Sequence, residues 1–244
     1  TNDTNDTNDT NDTNDTNDLN YCNDSNKEHN ILNFVNTSTS EVYGTAQFVP
    51  MNESHPIQAQ SPYAASKIGA DKLAESYYRS FGLPVTTLRP FNTYGPRQSE
   101  RAVIPSIIRQ AIDNRSDSIA VGDTRPKRDF MYVGDTVEAF LALGSADNSV
   151  DGLVYNAGTS KMFSISEIIE LIVSLTNTRL PVVRSENRTR PPDSEVYELQ
   201  ADYSKLQAAT GWKPQVELSS GLANTISWWK ARPNQTRRSL GYLY

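Results

Sequence analysis

Five side chains close together in the sequence have the types and spacing for redox chemistry on a carbinol carbon. Thr39, Ser40 and Glu41 stand in a row within NTSTSEVYG, directly after the apolar run 31–37 (ILNFVNT). Tyr63 and Lys67 follow in SPYAASK, four positions apart. On a helix that spacing brings two side chains together on one face. An ammonium beside a phenol stabilises the phenolate, so Tyr63 is a candidate base for a hydroxyl proton while hydride leaves the same carbon. Alone the pair is a weak signal, because a solvated lysine one turn from a packed tyrosine is the commoner case. The triplet 22 residues upstream of Tyr63 changes that balance. Hydroxyl, carboxylate, phenol and ammonium together suit oxidation and elimination on a sugar.

The elements that must position these groups are readable from periodicity. Residues 31–37 are apolar and β-branched enough for a buried strand. Thr37 to Glu41 then leaves its carboxyl end, the edge of an open α/β sheet where ligands bind. Residues 42–61, with Pro50 and Pro56, form a loop long enough to signal function. Ser61-Pro62 starts a helix that runs to about Phe81 and stops at Gly82 and Pro84. Tyr63, Lys67 and Ala70 share one face of it, and Leu73, Tyr77 and Phe81 continue an apolar stripe. Residues 85–89 read as the next parallel strand and Arg89 to Arg97 (RPFNTYGPR) as a loop.

Further helices are expected over 102–114, with Ile104, Ile107, Ile108 and Ile112 inward, over 135–146, and over 164–176 with a Ser164–Glu167 capping box. Asp202 to Thr210 reads as a short helix ended by Gly211, and Leu218 to Lys230 as a last one. Short strands are expected at 119–123, 128–135, Val154 to Asn156 and Arg179 to Val183. Strands alternating with helices indicate an α/β sheet.

Residues 1–18 are six copies of Thr-Asn-Asp with no apolar residue, so burial cannot offset their ordering entropy and they read as disordered. The remaining 226 residues suit one domain, or one with a small lobe. Six of the 29 acidic residues belong to the repeat, which leaves 23 acidic against 23 basic residues. A formally neutral body gives no nucleic-acid surface, and the basic tail at Arg232, Arg237 and Arg238 reads as a solvated end. Cys22 is the only cysteine, so no internal disulfide forms and a reducing compartment is favoured. No run of about 18 apolar residues exists, and the expectation is a soluble, cytoplasmic protein. His29 and His55 have no ligand-spaced partners and read as surface residues; no metal signature is present.

The stretches TSTSEVYG, SPYAASKIGADKL, RPFNTYGPR, KRDFMYVGD, YNAGT and RPPDS together resemble the extended short-chain dehydrogenase/reductase family, the NAD-dependent nucleotide-sugar epimerases and dehydratases. The resemblance covers about residues 19–230. It implies an α/β fold with a partial Rossmann-like, doubly wound parallel sheet and a smaller C-terminal substrate-binding lobe. The catalytic half would span about 19–97 and mixed substrate-lobe and sheet segments about 98–232, with a tail at 233–244. The implied cofactor is NAD and the implied partner a nucleotide-sugar substrate, with no nucleic acid and no membrane. Tyr63 would deprotonate the sugar 4-hydroxyl, Lys67 would hold the nicotinamide ribose, and Thr39 would bond the 4-oxygen.

A carboxylate at Glu41 resembles the 4,6-dehydratases rather than the 4-epimerases. It would take the C5 proton. Ser40 resembles the GDP-mannose type, where glucose dehydratases have Asp. The wording around both motifs is closest to the GDP-N-acetylglucosamine dehydratases of legionaminic acid synthesis. An epimerase or a UDP-glucuronate decarboxylase stays open, since the latter also carry TSEVYG. Asn92, Arg128 and Arg190 would contact the substrate diphosphate or its sugar, while Asn156 reads as a turn or packing residue. Family members pair through the helix that bears Tyr63, which makes a homodimer an expectation.

Members of this family begin with a strand, a glycine-rich turn and a helix that cradle the dinucleotide pyrophosphate. All 12 glycines of this chain lie at or after Gly44. The expectation is therefore a truncated enzyme-family chain that does not hold NAD tightly by itself. The other readings are a catalytic half completed by a partner chain, and a non-catalytic sugar-nucleotide-binding module.

Overall fold

A computed structural model describes residues 33–185 and 196–232. The elements in chain order are β1 (Phe34–Thr37), a 3-10 turn (Ser40–Tyr43), α1 (Pro62–Phe81), β2 (Val85–Pro90), β3 (Asn92–Tyr94) and α2 (Val103–Ile112). Then come β4 (Ile119–Val121), β5 (Lys127–Arg128), β6 (Phe130–Tyr132), α3 (Val133–Gly144), β7 (Val154–Ala157), β8 (Phe163–Ser164) and α4 (Ile165–Thr176). The last are β9 (Val182–Arg184), β10 (Glu198–Leu199), α5 (Ser204–Thr210) and α6 (Leu218–Lys230). The expected repeat disorder, the connector at 19–30, Cys22, His29, Arg190 and the basic tail beyond Arg232 lie outside the described residues.

The main sheet is parallel, in the order β1-β2-β7. Val85 to Arg89 are all buried, because α1 and α3 both pack on β2 and cover its two faces. Such two-sided burial is the usual state of parallel strands and explains the continuous Val-Thr-Thr-Leu run. β1 is different. It pairs with β2 on one side, has no strand partner on the other among the described residues, and leaves Phe34 52% exposed.

Local chemistry sets the helix ends. In α1 the Ser61 side chain accepts from the Ala64 N–H, Pro62 opens the first turn, and Gly82 closes the helix in the left-handed region. In α4 both halves of the Ser164–Glu167 capping box are formed. The isoleucines of α2 and α4 meet α6 in one core that contains Ile104, Ile107, Ile108, Ile168, Ile172, Leu222 and Trp229. Each fully buried isoleucine there contributes about 1.5–3 kcal/mol of transfer free energy. A second core under the main sheet joins Leu88, Met131, Leu143 and Tyr155. A third joins Val42, Tyr43, Met51, Phe91 and Leu199.

Two local expectations change. Arg89 to Arg97 is not only a loop: β3 forms within it and pairs in parallel with β6. Its partner lies 38 positions away at Phe130, so no local pattern announces it. The stripe Leu73, Tyr77 does not face a core either. Leu73 is 61% and Tyr77 47% exposed, and only Ala64 and Asp71 of the 20 residues of α1 are buried.

Candidate active site

β1 delivers the chain to the site. Ser38 prolongs its ladder by donating its N–H to the Leu88 carbonyl at 2.8 Å, and the chain then turns into the 3-10 helix. Thr39 caps that turn, its Oγ1 accepting from the Glu41 N–H at 3.3 Å. The hydroxyl oxygen is thus used as an acceptor, which leaves its hydrogen free to donate to a ligand. Ser40 is 3% exposed and Glu41 half-buried.

α1 brings the other two groups. Ser61 and Pro62 place Tyr63 in the first turn, 53% exposed, beside the 3-10 turn that α1 contacts. Lys67, one turn on, donates from Nζ to the Thr37 carbonyl at 3.0 Å. That bond ties the helix to the last residue of β1.

Thr39, Ser40, Glu41 and Tyr63 line one cavity of about 270 Å³ together with Ser38, Phe91 and Asn92. A second cavity of about 250 Å³ also has Glu41, Asn92 and Thr93 in its wall, so these three residues stand between the two. It runs past Gln98, Arg101, Asp123 and Arg128 over the isoleucine core. Asn92 Oδ1 and Gln98 Oε1 are buried there without a hydrogen-bond partner among the described residues. An unpaired buried acceptor costs about 1–3 kcal/mol, which a bound donor would recover. Arg128 is 8% exposed and donates from Nη1 to the Lys127 carbonyl at 3.1 Å. At the mouth, the Arg125 side chain hydrogen-bonds Asp123 at 2.6 Å and holds its carboxyl down at about 2.

The structure therefore brings together Thr39, Ser40, Glu41 and Tyr63 in the first cavity, sets Lys67 one turn behind Tyr63, and spreads Asn92 and Arg128 along the second. Sequence reasoning missed Ser38, Gln98 and Arg101 as wall residues. It also missed a buried polar network beneath the site. Asp71 and Arg89, each 4% exposed at the side chain, form an ion pair at 2.9 Å. Arg89 Nη1 donates to the Tyr43 hydroxyl at 3.0 Å, and that hydroxyl donates to Asn156 Oδ1 at 2.7 Å. Burial works against the Arg89 cation, but Tyr43 and Asp71 outweigh it and push the guanidinium above its ordinary value. Asn156 is fully buried and has the packing role expected of it.

His55 corrects its reading as a surface residue. It is 2% exposed, its Nε2 accepts from the Gln47 N–H at 3.0 Å, and its ring packs on Tyr43 and Phe48. Those partners come from loop geometry that no spacing rule encodes. No helix among the described residues is long and apolar enough to cross a membrane.

The family model described as GDP-mannose 4,6 dehydratase matches residues 2–225. The chain belongs to that family, a branch of the extended short-chain dehydrogenases/reductases with a Rossmann fold. It is 35% identical over 205 residues to a dTDP-glucose 4,6-dehydratase of an Actinoplanes species, covering 83% of this chain and 62% of the relative. It is 33% identical over 197 residues to a putative UDP-glucose 4-epimerase of Methanocaldococcus jannaschii, covering 80% of this chain and 61% of that protein. The solved dTDP-glucose 4,6-dehydratase of Bacillus anthracis in complex with NAD superposes with a TM-score of 0.75 at 27% identity, covering 88% of this chain and 67% of that one. The chain thus spans less than two thirds of the length of these curated relatives.

Proposed function

We propose that this chain carries the catalytic and substrate-binding part of a nucleotide-sugar 4,6-dehydratase that uses NAD. The observation that carries the reading is the placing of Glu41 on the wall of both cavities, with Thr39 and Tyr63 beside it in the first. A sugar ring in the first cavity and its nucleotide in the second would put the carboxylate next to the reacting carbons.

Tyr63 takes the proton of the 4-hydroxyl, and Thr39 donates its free hydroxyl hydrogen to the 4-oxygen. NAD, when bound, would supply a hydride acceptor for C4 and a hydride donor for C6. The resulting 4-ketone acidifies the C5 proton, which Glu41 removes. Glu41 then gives a proton to the departing C6 hydroxyl, which leaves as water. Among the described residues no second carboxylate lines the first cavity, and Ser40 occupies the neighbouring position, so both transfers fall to Glu41. Protonation of C5, balanced by release of the proton that Tyr63 took, would accompany hydride delivery to C6 and leave Tyr63 ready as a base again. The product is a 4-keto-6-deoxy sugar, with NAD unchanged overall.

Tyr63 and Lys67 fit the ribose end of NAD, since both lie at the carboxyl end of β1. The described residues include no glycine-rich turn between a strand and a helix for its pyrophosphate. Asn92 and the buried Arg128 hold the diphosphate or its linked sugar, the amide accepting at its unpartnered Oδ1 from a sugar hydroxyl and the guanidinium donating to phosphate oxygens. Arg190 is a further candidate from sequence alone. Within this reading residues 19–97 form the catalytic half and 98–232 the substrate lobe with added sheet segments. A GDP-sugar is the favoured substrate, supported by the family description and by Ser40. The exposed Leu73 and Tyr77 of α1 support pairing of two copies through that helix.

The test is the chain fused behind a glycine-rich dinucleotide-binding half and supplied with GDP-mannose, GDP-N-acetylglucosamine, dTDP-glucose and UDP-glucose. Formation of a 4-keto-6-deoxy product, lost in Glu41→Gln, is the expected result. Full 4,6-dehydration by Glu41→Gln would remove Glu41 from the mechanism. Epimerisation at C4 without loss of water would support the epimerase alternative. Sugar-nucleotide binding with no turnover in any fusion would support the binding module.

A further inference from the structure

We propose that Asp71 is a positioning residue that sets the distance between Tyr63 and the Thr39–Glu41 turn. The proposal rests on the reading of Tyr63 as the base. The first observation is how little apolar surface anchors α1. Ala64 and Asp71 are the only buried residues of its 20, while Tyr63, Leu73, Tyr77 and Tyr78 are exposed. Hydrophobic packing is non-directional and here is also scarce, so it cannot fix how far α1 slides or rotates against the sheet.

The second observation is what takes its place. Asp71 Oδ1 accepts from Asn36 Nδ2 at 3.1 Å. Its Oδ2 accepts from Ser38 Oγ at 2.8 Å and from Arg89 Nε and Nη2 at 3.1 and 2.9 Å. Between these, Lys67 reaches the Thr37 carbonyl. Two residues one helical turn apart thus grip Asn36, Thr37 and Ser38 in succession, and the next residue is Thr39. Arg89 joins the same carboxylate to β2 and, through Tyr43, to the 3-10 turn that holds Glu41. Charge-assisted hydrogen bonds are directional and short, and here two guanidinium N–H groups converge on Oδ2 while Asn36 holds Oδ1, so both carboxylate oxygens are fixed. The register of helix against strand end, and so of Tyr63 against Thr39 and Glu41, follows from this carboxylate. Asp71 touches no reacting atom in this scheme; it acts through Ser38 and the helix.

Removing one partner of a buried pair also strands the other charge, which alone destabilises a fold. The experiment separates the two effects. 3-Fluorotyrosine is placed at position 63 of the full 244-residue chain, and the fluorine resonance is read alongside the melting temperature. Asp71→Asn is expected to lower the melting temperature and to shift and broaden the resonance. The double variant Asp71→Leu with Arg89→Met removes the stranded charge. It is expected to recover melting temperature while the resonance stays displaced. Ile226→Val, in the distant isoleucine core, is expected to lower the melting temperature with the resonance in place. Ser38→Ala, which leaves the ion pair intact, is expected to displace the resonance in the same direction by less, and it decides the matter if the Asp71 variants do not fold. A resonance at its wild-type position in the folded double variant, or in Ser38→Ala where that variant decides, would overturn the proposal. No substrate or NAD enters the measurement, so failure of the dehydratase test leaves its outcome intact.

Discussion

At the scale of single residues, the site is a set of groups whose second hydrogen bonds define what remains for a ligand. Thr39 spends its oxygen on the Glu41 N–H, and Lys67 spends one of its three N–H bonds on Thr37. Asp123 shows the same logic with a measurable pH signature. The side-chain bond from Arg125 lowers its carboxyl to about 2, below the 3.8 of a free aspartate. A depressed folded-state value adds stability that is present above about pH 4 and lost as pH falls toward 2. Asp123→Asn should flatten the acid limb of a stability–pH curve in that window, lowering stability at neutral pH and leaving it nearly unchanged near pH 2. The effect should be small and weaker still at high salt, because the pair is open to solvent. The candidate residues Thr39, Ser40, Glu41, Tyr63 and Lys67 were legible because their types and spacing carry their chemistry. Asp71 and Arg89 were not: a buried ion pair and a surface one read alike in sequence, and only the fold shows that 18 positions collapse to 2.9 Å.

At the scale of elements, the long helices and the strands at Ile119–Val121, Phe130–Tyr132 and Val154–Ala157 announced themselves, and β3 and β10 did not. α1 was bounded by Ser61, Pro62 and Gly82, α4 by its capping box, and α6 by its apolar period, because each signal is local. β3, β5 and β10 have three residues or fewer and exist only through ladders with distant partners. No window of sequence contains both halves of such a ladder. α1 also invites a test. With so few buried residues it depends on its ends, and Ser61→Ala should cost about 1 kcal/mol, since the Ala64 N–H loses its acceptor. Chemical denaturation should show the loss at unchanged slope, and amide exchange should quicken first in the turn that holds Tyr63.

At the scale of the whole molecule, α1 has one face toward the site and another toward solvent. Leu73 and Tyr77 are exposed on that outer face, and the proposed pairing of two copies would use them. Leu73→Glu should therefore shift sedimentation toward the monomer without changing helical content; an unchanged profile would assign the contact elsewhere. The alternation of strands and helices revealed the α/β class, but the division of labour between cores was hidden, because the chain does not fill them in order. α2 and α4 build the isoleucine core, while α3 and β7, which lie between them in sequence, build the core under the main sheet. The polypeptide thus crosses the seam out and back between Val103 and Thr176. Its consequence is genetic as much as mechanical. No single cut or splice junction frees the isoleucine core as one uninterrupted segment, so the part of the molecule built on it cannot be exchanged as a cassette.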